Sequence, residues 1–249
     1  MSKRAIFIIF TVIVLLPQIS QAAPVPIPNI NIGITQSDNP ADISAGMKIL
    51  ALLTILSLAP AILIMLTGFT RIVIVFHFLR QALGTQQMPP NQVIIGLSLF
   101  ITFFIMSPYF IQINDEAIQP YLQKKISQEE AIEKATAPLK EFMTKQTRKK
   151  DLALFLELSK KKNFKSNNDI PFMVLVPSFI ISELKTAFQI GFLIYIPFLI
   201  IDIVVSSVLL SMGMMMLPPV MISLPFKIVL FVLVDGWYLI VGSLLKSFY

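Results

Sequence analysis

The sequence predicts an all-α, membrane-type fold: four long, proline-broken segments in helical hairpins, with a small helical extramembrane insert. Three observations predict it. The chain is 55% hydrophobic and only 14% charged, whereas soluble domains carry about 25% charged residues. Several apolar runs approach or exceed the roughly 20 residues that a bilayer-spanning helix needs. One stretch, Asn114 to Asp169, holds most of the charge, twelve Lys or Arg against nine Asp or Glu. There are no cysteines and one histidine, His77, which excludes disulfides, thiolate metal sites, a cysteine nucleophile and a histidine metal cluster. No cofactor is expected. The net charge of +6 comes without a basic and aromatic platform, so no nucleic acid partner is expected.

Residues 1–22 read as a secretory signal peptide. Lys3-Arg4 form its basic region, Ala5 to Leu16 its apolar region, and Pro17 breaks it. Small residues at Ser20 and Ala22 suit cleavage after Ala22. The alternative, a first transmembrane helix, is short for roughly 30 Å of hydrocarbon. Cleavage leaves the mature N-terminus across the membrane, which in a bacterium is the periplasm. Residues 23–45 contain Pro24, Pro26, Pro28 and Pro40 and read as an extended tether.

Residues 46–113 read as a first helical hairpin. Ile49 to Phe69 is one spanning candidate, with Pro60 inside it; Val93 to Phe110 is the second, with Asn91 placed to cap it. Between them lie Arg71, His77 and Arg80, followed by Gly84 and Pro89-Pro90. The arginines suit a cytoplasmic loop; a titrating switch at His77 is the alternative to a solvated interfacial group.

Residues 114–170 read as a charged periplasmic insert, although its Lys and Arg excess argues against that side. Ser127 and Glu130 form a capping box, and Leu139, Phe142 and Met143, then Leu152, Phe155 and Leu156, fall at helical spacing. Two amphipathic helices follow from that pattern, ending near Lys160, Lys161 and Lys162. Phe142 and Phe155 are candidates for subunit contacts, with ordinary core as the other reading.

Residues 171–249 form a second hairpin, with segments at about 172–216 and 220–247. This apolar stretch carries Glu183, Lys185, Asp202, Lys227 and Asp235. Each costs roughly 2.5–3.5 kcal/mol at mid-bilayer depth on the mildest scale, so these charges imply protein partners or a watery path. Glu183 and Lys185 point away from each other on a helix, which places their partners in another segment or subunit. A proton relay is the rival role. At the turn, Met212, Met214, Met215 and Met216 precede Pro218-Pro219. Three consecutive methionines cannot share one helical face, and methionine suits surfaces that must repack. A loop turning them inward would make a soft seal; plain helix filling is the bland alternative. Gly191, Gly213, Gly236 and Gly242 would permit close helix approach.

Three strings carry a family resemblance: Thr67 to Asn91 (TGFTRIVIVFHFLRQALGTQQMPPN), Met212 to Pro219 (MGMMMLPP) and Leu224 to Trp237 (LPFKIVLFVLVDGW). Together they resemble the FliP/SctR family of export-gate proteins, most closely its flagellar branch. The resemblance implies a structural subunit of the type III export gate in the bacterial inner membrane and flagellar basal body. Several copies would assemble with FliQ and FliR, assisted in many species by FliO, into a channel for unfolded flagellar substrate proteins. It also implies that the methionine loop is a gasket, that much of the chain stands above the bilayer, and that neighbouring subunits neutralise the buried charges. No Walker A, His-Glu-x-x-His or Gly-x-Ser-x-Gly pattern occurs, so no enzymatic chemistry is assigned. A secondary transporter is the rival function, having broken helices and midplane charges too; a membrane enzyme lacks a nucleophile and base.

Overall fold

The computed structural model describes residues 40–85, 87–159, 170–214 and 217–249. The signal segment with Ala22, residues 23–39 of the tether, Lys160 to Lys162, and Met215 and Met216 therefore lie outside the described residues. The chain divides into two compact units, Met1–Ala51 and Leu52–Tyr249. All the elements below belong to the second unit, apart from the opening of the first helix.

Every regular element among the described residues is helical. α1 (Pro40–Met65) contains Pro60 and leaves Leu52, Leu53, Ile55 and Leu56 exposed. α2 (Phe69–Leu83) is the opposite case. Its Phe69, Ile72, Phe76, Leu79 and Leu83 recur at three- and four-residue spacing, and all are buried, as one apolar face of a helix requires. Gly84 ends α2 in the left-handed region at φ 75°, its N–H reaching the Gln81 carbonyl.

α3 (Asn91–Ile113) continues through a π-helical turn, Asn114–Ile118, into α4 (Gln119–Leu122), making one helix of 32 residues. Asn91 does not cap it. Pro90 holds the cap position without a side-chain bond, and Asn91 Oδ1 instead accepts from Arg80 Nη1 at 2.6 Å. A charged donor outcompetes the backbone amide for that oxygen.

The insert supplies α5 (Gln128–Gln146) and α6 (Lys149–Leu158). Ser127 Oγ accepts from the Glu130 N–H at 3.2 Å, while the Glu130 carboxylate turns to Lys134 at 2.9 Å. The capping box is thus half made. Both helices pack on α7 (Phe172–Ser211). Phe142 is only 1% exposed, with Tyr109, Phe179 and Phe248 rings 5.3, 5.8 and 6.4 Å away. That is core, and it removes Phe142 from the surface available to another subunit. Phe155 is half-buried against the same core.

α7 has 40 residues, about 60 Å at 1.5 Å per residue and twice a hydrocarbon core. It contains Pro177 and Pro197. Its buried face carries Ser178, Ser182, Ala187 and Gly191, small residues that let α2 approach. A Cβ on Gly191 would fall 2.5 Å from the Phe78 ring. Phe78 and Phe188 also meet edge to face at 5.2 Å, and upstream Arg71 meets Glu183, so α2 and α7 lie side by side and run the same way. After the methionine turn come α8 (Pro219–Leu233) and α9 (Gly236–Lys246), bent by 65° at Val234-Asp235. Gly236 sits under the Phe231 ring, whereas no described residue lies within 4 Å of a Cβ at Gly213 or Gly242.

Among the described residues, two helices are long and apolar enough to cross a membrane, Asn91–Leu122 and Phe172–Ser211; the bent pair α8–α9 counts as a third if taken as one span. The fourth expected segment is α1, whose apolar stretch Ile49–Ile62 is shorter. One expectation needs correction. The sequence reading puts Arg71 and the insert on opposite sides of the membrane, yet Arg71 Nη2 donates to Gln146 Oε1 of α5 at 2.9 Å. They stand at one level, because roughly 30 Å of hydrocarbon cannot separate hydrogen-bonded groups.

Candidate functional site

Three features concentrate the chemistry: two buried charge nodes along α2 and α7, and the exposed turn between α7 and α8.

The first node centres on Arg71. The buried face of α2 includes position 71 as well as 72, 75, 76 and 79, so the guanidinium enters the interior with the apolar side chains. Its exposure is 2%, and that of Glu183 is 0%. Nε donates to Glu183 Oε2 at 2.9 Å, and Nη2 donates to Glu183 Oε1. Nη2 also donates to Gln146 Oε1, while Nη1 donates to the Ser247 carbonyl and Oγ at 2.9 and 3.0 Å. All five donors of the guanidinium fork are used. The Phe248 ring lies 3.9 Å from its carbon, a cation–π contact. Gln146 Nε2 donates to the Phe248 carbonyl at 2.8 Å, and Ser182 Oγ accepts from the Arg148 N–H at 3.0 Å. One side chain thereby ties α2, α7, the insert and the chain's last residues together.

The second node lies at the far end of α2. Lys227 of α8 donates to Asp202 Oδ2 of α7 at 2.6 Å and to the Ala82 carbonyl at 3.1 Å. Ser223 Oγ donates to Asp202 Oδ1 at 2.5 Å. The Ala82 carbonyl is one of the four that a helix leaves without an internal partner, and a cation there is favoured by the helix dipole. Lys227 is 3% exposed and Asp202 19%.

Three of the five charges singled out in the apolar third, Glu183, Asp202 and Lys227, therefore find partners inside the chain rather than in sister subunits. The reason is that α2, which reads in the sequence as a loop-flanking segment, is the helix the other segments wrap. Lys185 and Asp235 are exposed, and neither makes an ion pair among the described residues. Sequence reasoning does not identify Arg71, Gln146, Ser223 and Ser247 as partners. The available signal is position: Arg71 shares the helical face of Val75, Leu79 and Ala82.

His77 and Arg80 are half-buried on α2, which is not one of the candidate spans. His77 Nδ1 faces Arg80 Nη2 at 3.0 Å. Burial, and then the Arg80 charge, push the imidazole below its usual 6.5.

At the α7–α8 turn, Met212 is 63% exposed and Met214 44%. The Gly213 φ of 74° and Pro218 shape the chain reversal. Below the turn, Ile200, Val204, Val208, Ile222 and Phe226 line an apolar groove between the two helices.

Comparison with known proteins agrees with these strings and elements. A family model described as the FliP family matches residues 52–244. The "Flagellar biosynthetic protein FliP" of Bacillus subtilis (strain 168) is 65% identical over 217 residues, covering 87% of this chain and 98% of that protein. The protein of the same name from Pectobacterium carotovorum is 57% identical over 82% of this chain and 79% of its own length. That from Aquifex aeolicus is 57% identical over 82% and 86%. With the match running through α2, the pairs Arg71–Glu183 and Asp202–Lys227 and the methionine turn, the chain belongs to the FliP family.

Proposed function

We propose that this chain is a structural subunit of the flagellar type III export gate, present in several copies and joined by FliQ and FliR in the inner membrane. Its role is to line a channel through which unfolded flagellar proteins leave the cytoplasm, with the methionine turn as the seal. The observation that carries this reading is the α7–α8 hairpin. Its stem is apolar and largely uncovered, and its tip presents Met212 and Met214 to the outside. A seal around an unfolded chain must meet every side-chain type, which favours flexible, polarisable thioethers over shaped surfaces. The relatives' name places them in flagellar biosynthesis, and a subunit role explains why so much apolar surface is left for others to cover. Met215 and Met216 belong to the same proposed seal by sequence adjacency.

A secondary transporter is less well supported. Its paired broken segments in two halves have no counterpart here, since the methionine–proline turn occurs once in the sequence.

The test has two parts. The detergent-purified complex should exceed ~200 kDa, as expected from stacking several subunits of 27.9 kDa; a monomer or dimer would return the transporter reading. Replacing Met212, Met214, Met215 and Met216 with alanine should leave that mass unchanged and raise ion leakage through the gate. Wild-type conductance in an intact complex would remove the seal from these residues.

A further inference from the structure

Lys185 and Asp235 are the two of the five charges singled out above that make no ion pair among the described residues; Lys246, at the end of α9, is exposed and makes none there either. Lys185 lies on the outer face of α7, and Ile181, Phe188 and Phe192 are exposed on the same side. Asp235 lies at the α8–α9 bend, with a φ of 49° and no side-chain bond to the α9 amides it precedes. Leu233, Tyr238 and Leu239 are exposed around it. Each charge is therefore embedded in apolar surface that only another apolar surface can cover without cost. Covering it strips the charge of water, and a stripped charge needs an opposite one.

The signs are opposite and the two residues belong to one chain, so a second copy supplies both answers. They are offset along the axis of α2 by roughly 8–15 Å. Glu183 faces Arg71, so Lys185 lies just beyond it along α2. Trp237 lies 6.3 Å from Phe76, and Ser247 meets Arg71, so α9 runs counter to α2. Counting residues at 1.5 Å each sets Asp235 about 8 Å above Lys185 along that axis from the Phe76–Trp237 contact and about 15 Å from the Arg71–Ser247 contact. A step of that height between neighbours brings them together.

We propose that Lys185 of one copy pairs with Asp235 of the adjacent copy, across a head-to-tail interface between the outer face of α7 and the α8–α9 bend. Such an interface uses two different patches of one chain and repeats from copy to copy. The proposal rests on the reading of the chain as a subunit present in several copies. An anionic lipid headgroup could answer Lys185 but would leave Asp235 bare, whereas a neighbouring copy answers both.

The chain has no cysteine, which makes the test clean. Two differently tagged copies, one K185C and one D235C, are co-expressed with the rest of the gate and treated with a short bis-maleimide. The expected product is a cross-linked pair carrying both tags, absent when either variant is present alone. Charge reversal gives the second readout. K185D and D235K singly should each lower recovery of the assembled complex by about tenfold, as like charges meet across the interface. The double exchange should restore it to within about twofold. A complex of normal mass without the cross-link, or no rescue by the double exchange, overturns the pair while leaving the multi-copy reading intact. Damage from K185D with D235K harmless also overturns it, and points to an anionic headgroup. A monomer in the wild-type chain overturns both.

Discussion

The two halves of α7 have similar composition and opposite surroundings. From Val174 to Gly191 the helix buries Val174, Leu175, Ser178, Phe179, Ser182, Glu183, Ala187 and Gly191 against α2 and the insert. Beyond Gly191 only Phe198 and Leu209 are buried, while Ile200, Ile203, Val204, Val208 and Leu210 are exposed. The upstream half has small residues every four or five positions, which let another backbone come close, and a carboxylate whose partner waits on α2. The downstream half is mostly large apolar side chains, interrupted by Asp202, Ser206 and Ser207, and its carboxylate is answered from α8 rather than α2. One half is completed by its own chain; the other is a surface for lipid or for other subunits. Hydropathy alone does not distinguish them, because both read as membrane helix. What distinguishes them is the pattern of small and charged residues.

Breaking the completed half should have the largest effect. Glu183→Ala leaves the Arg71 guanidinium buried and unpaired, a change that costs about 3–5 kcal/mol in comparable buried pairs. The purified chain should lose most of its cooperative unfolding transition, and the insert should become accessible to protease as the Gln146 and Ser247 contacts loosen. Glu183→Gln keeps one acceptor oxygen for the guanidinium and should cost less. A wild-type transition for Glu183→Ala would show that the node contributes nothing to the fold, and would revive a proton-carrying role for this carboxylate.

At the second node the expected effect is smaller. Lys227→Ala strands Asp202, but that carboxylate retains the Ser223 hydroxyl and is 19% exposed. A loss of about 1–3 kcal/mol follows from leaving a partly solvated group without its donor. Comparing the two variants by thermal unfolding in the same detergent ranks the nodes. If Lys227→Ala costs more than Glu183→Ala, the centre of the fold lies at the methionine end of α7 and the ranking of its two halves is inverted.

The smallest effect concerns acidity. His77 titrates below 6.5 in the folded chain because burial and Arg80 disfavour its cation. The fold therefore binds fewer protons there than the unfolded chain does. Its contribution is intact above 6.5, falls as the pH drops below that value, and levels off once the folded-state pKa is passed. His77→Gln should flatten that slope in a stability profile between pH 7 and pH 5. An unchanged slope would assign it to other groups.

Much of this arrangement is legible in the chain alone. The helical class, the charged insert, the Ser127 cap and the reversal at the methionine–proline turn all depend on neighbours within a few residues, and the chain displays them directly. So does Phe142, whose helical spacing with Leu139 and Met143 fits the core position it occupies. The expectations that fail share a source. Asn91 reads as a helix cap only while Arg80 is out of view, and Arg71 reads as a loop residue only while Glu183 is.

By itself, then, the sequence determined the helical class, where the chain turns, and that several charges sit in the apolar third, because periodicity, caps and proline act over one or two helical turns. Only the tertiary structure decided which charges answer one another. Arg71 and Glu183 are 112 residues apart, and Lys227 reaches an α2 carbonyl 145 residues away. Such pairs follow from which helix faces meet. That depends on small residues allowing close approach and on how every other element packs, so no local pattern records it.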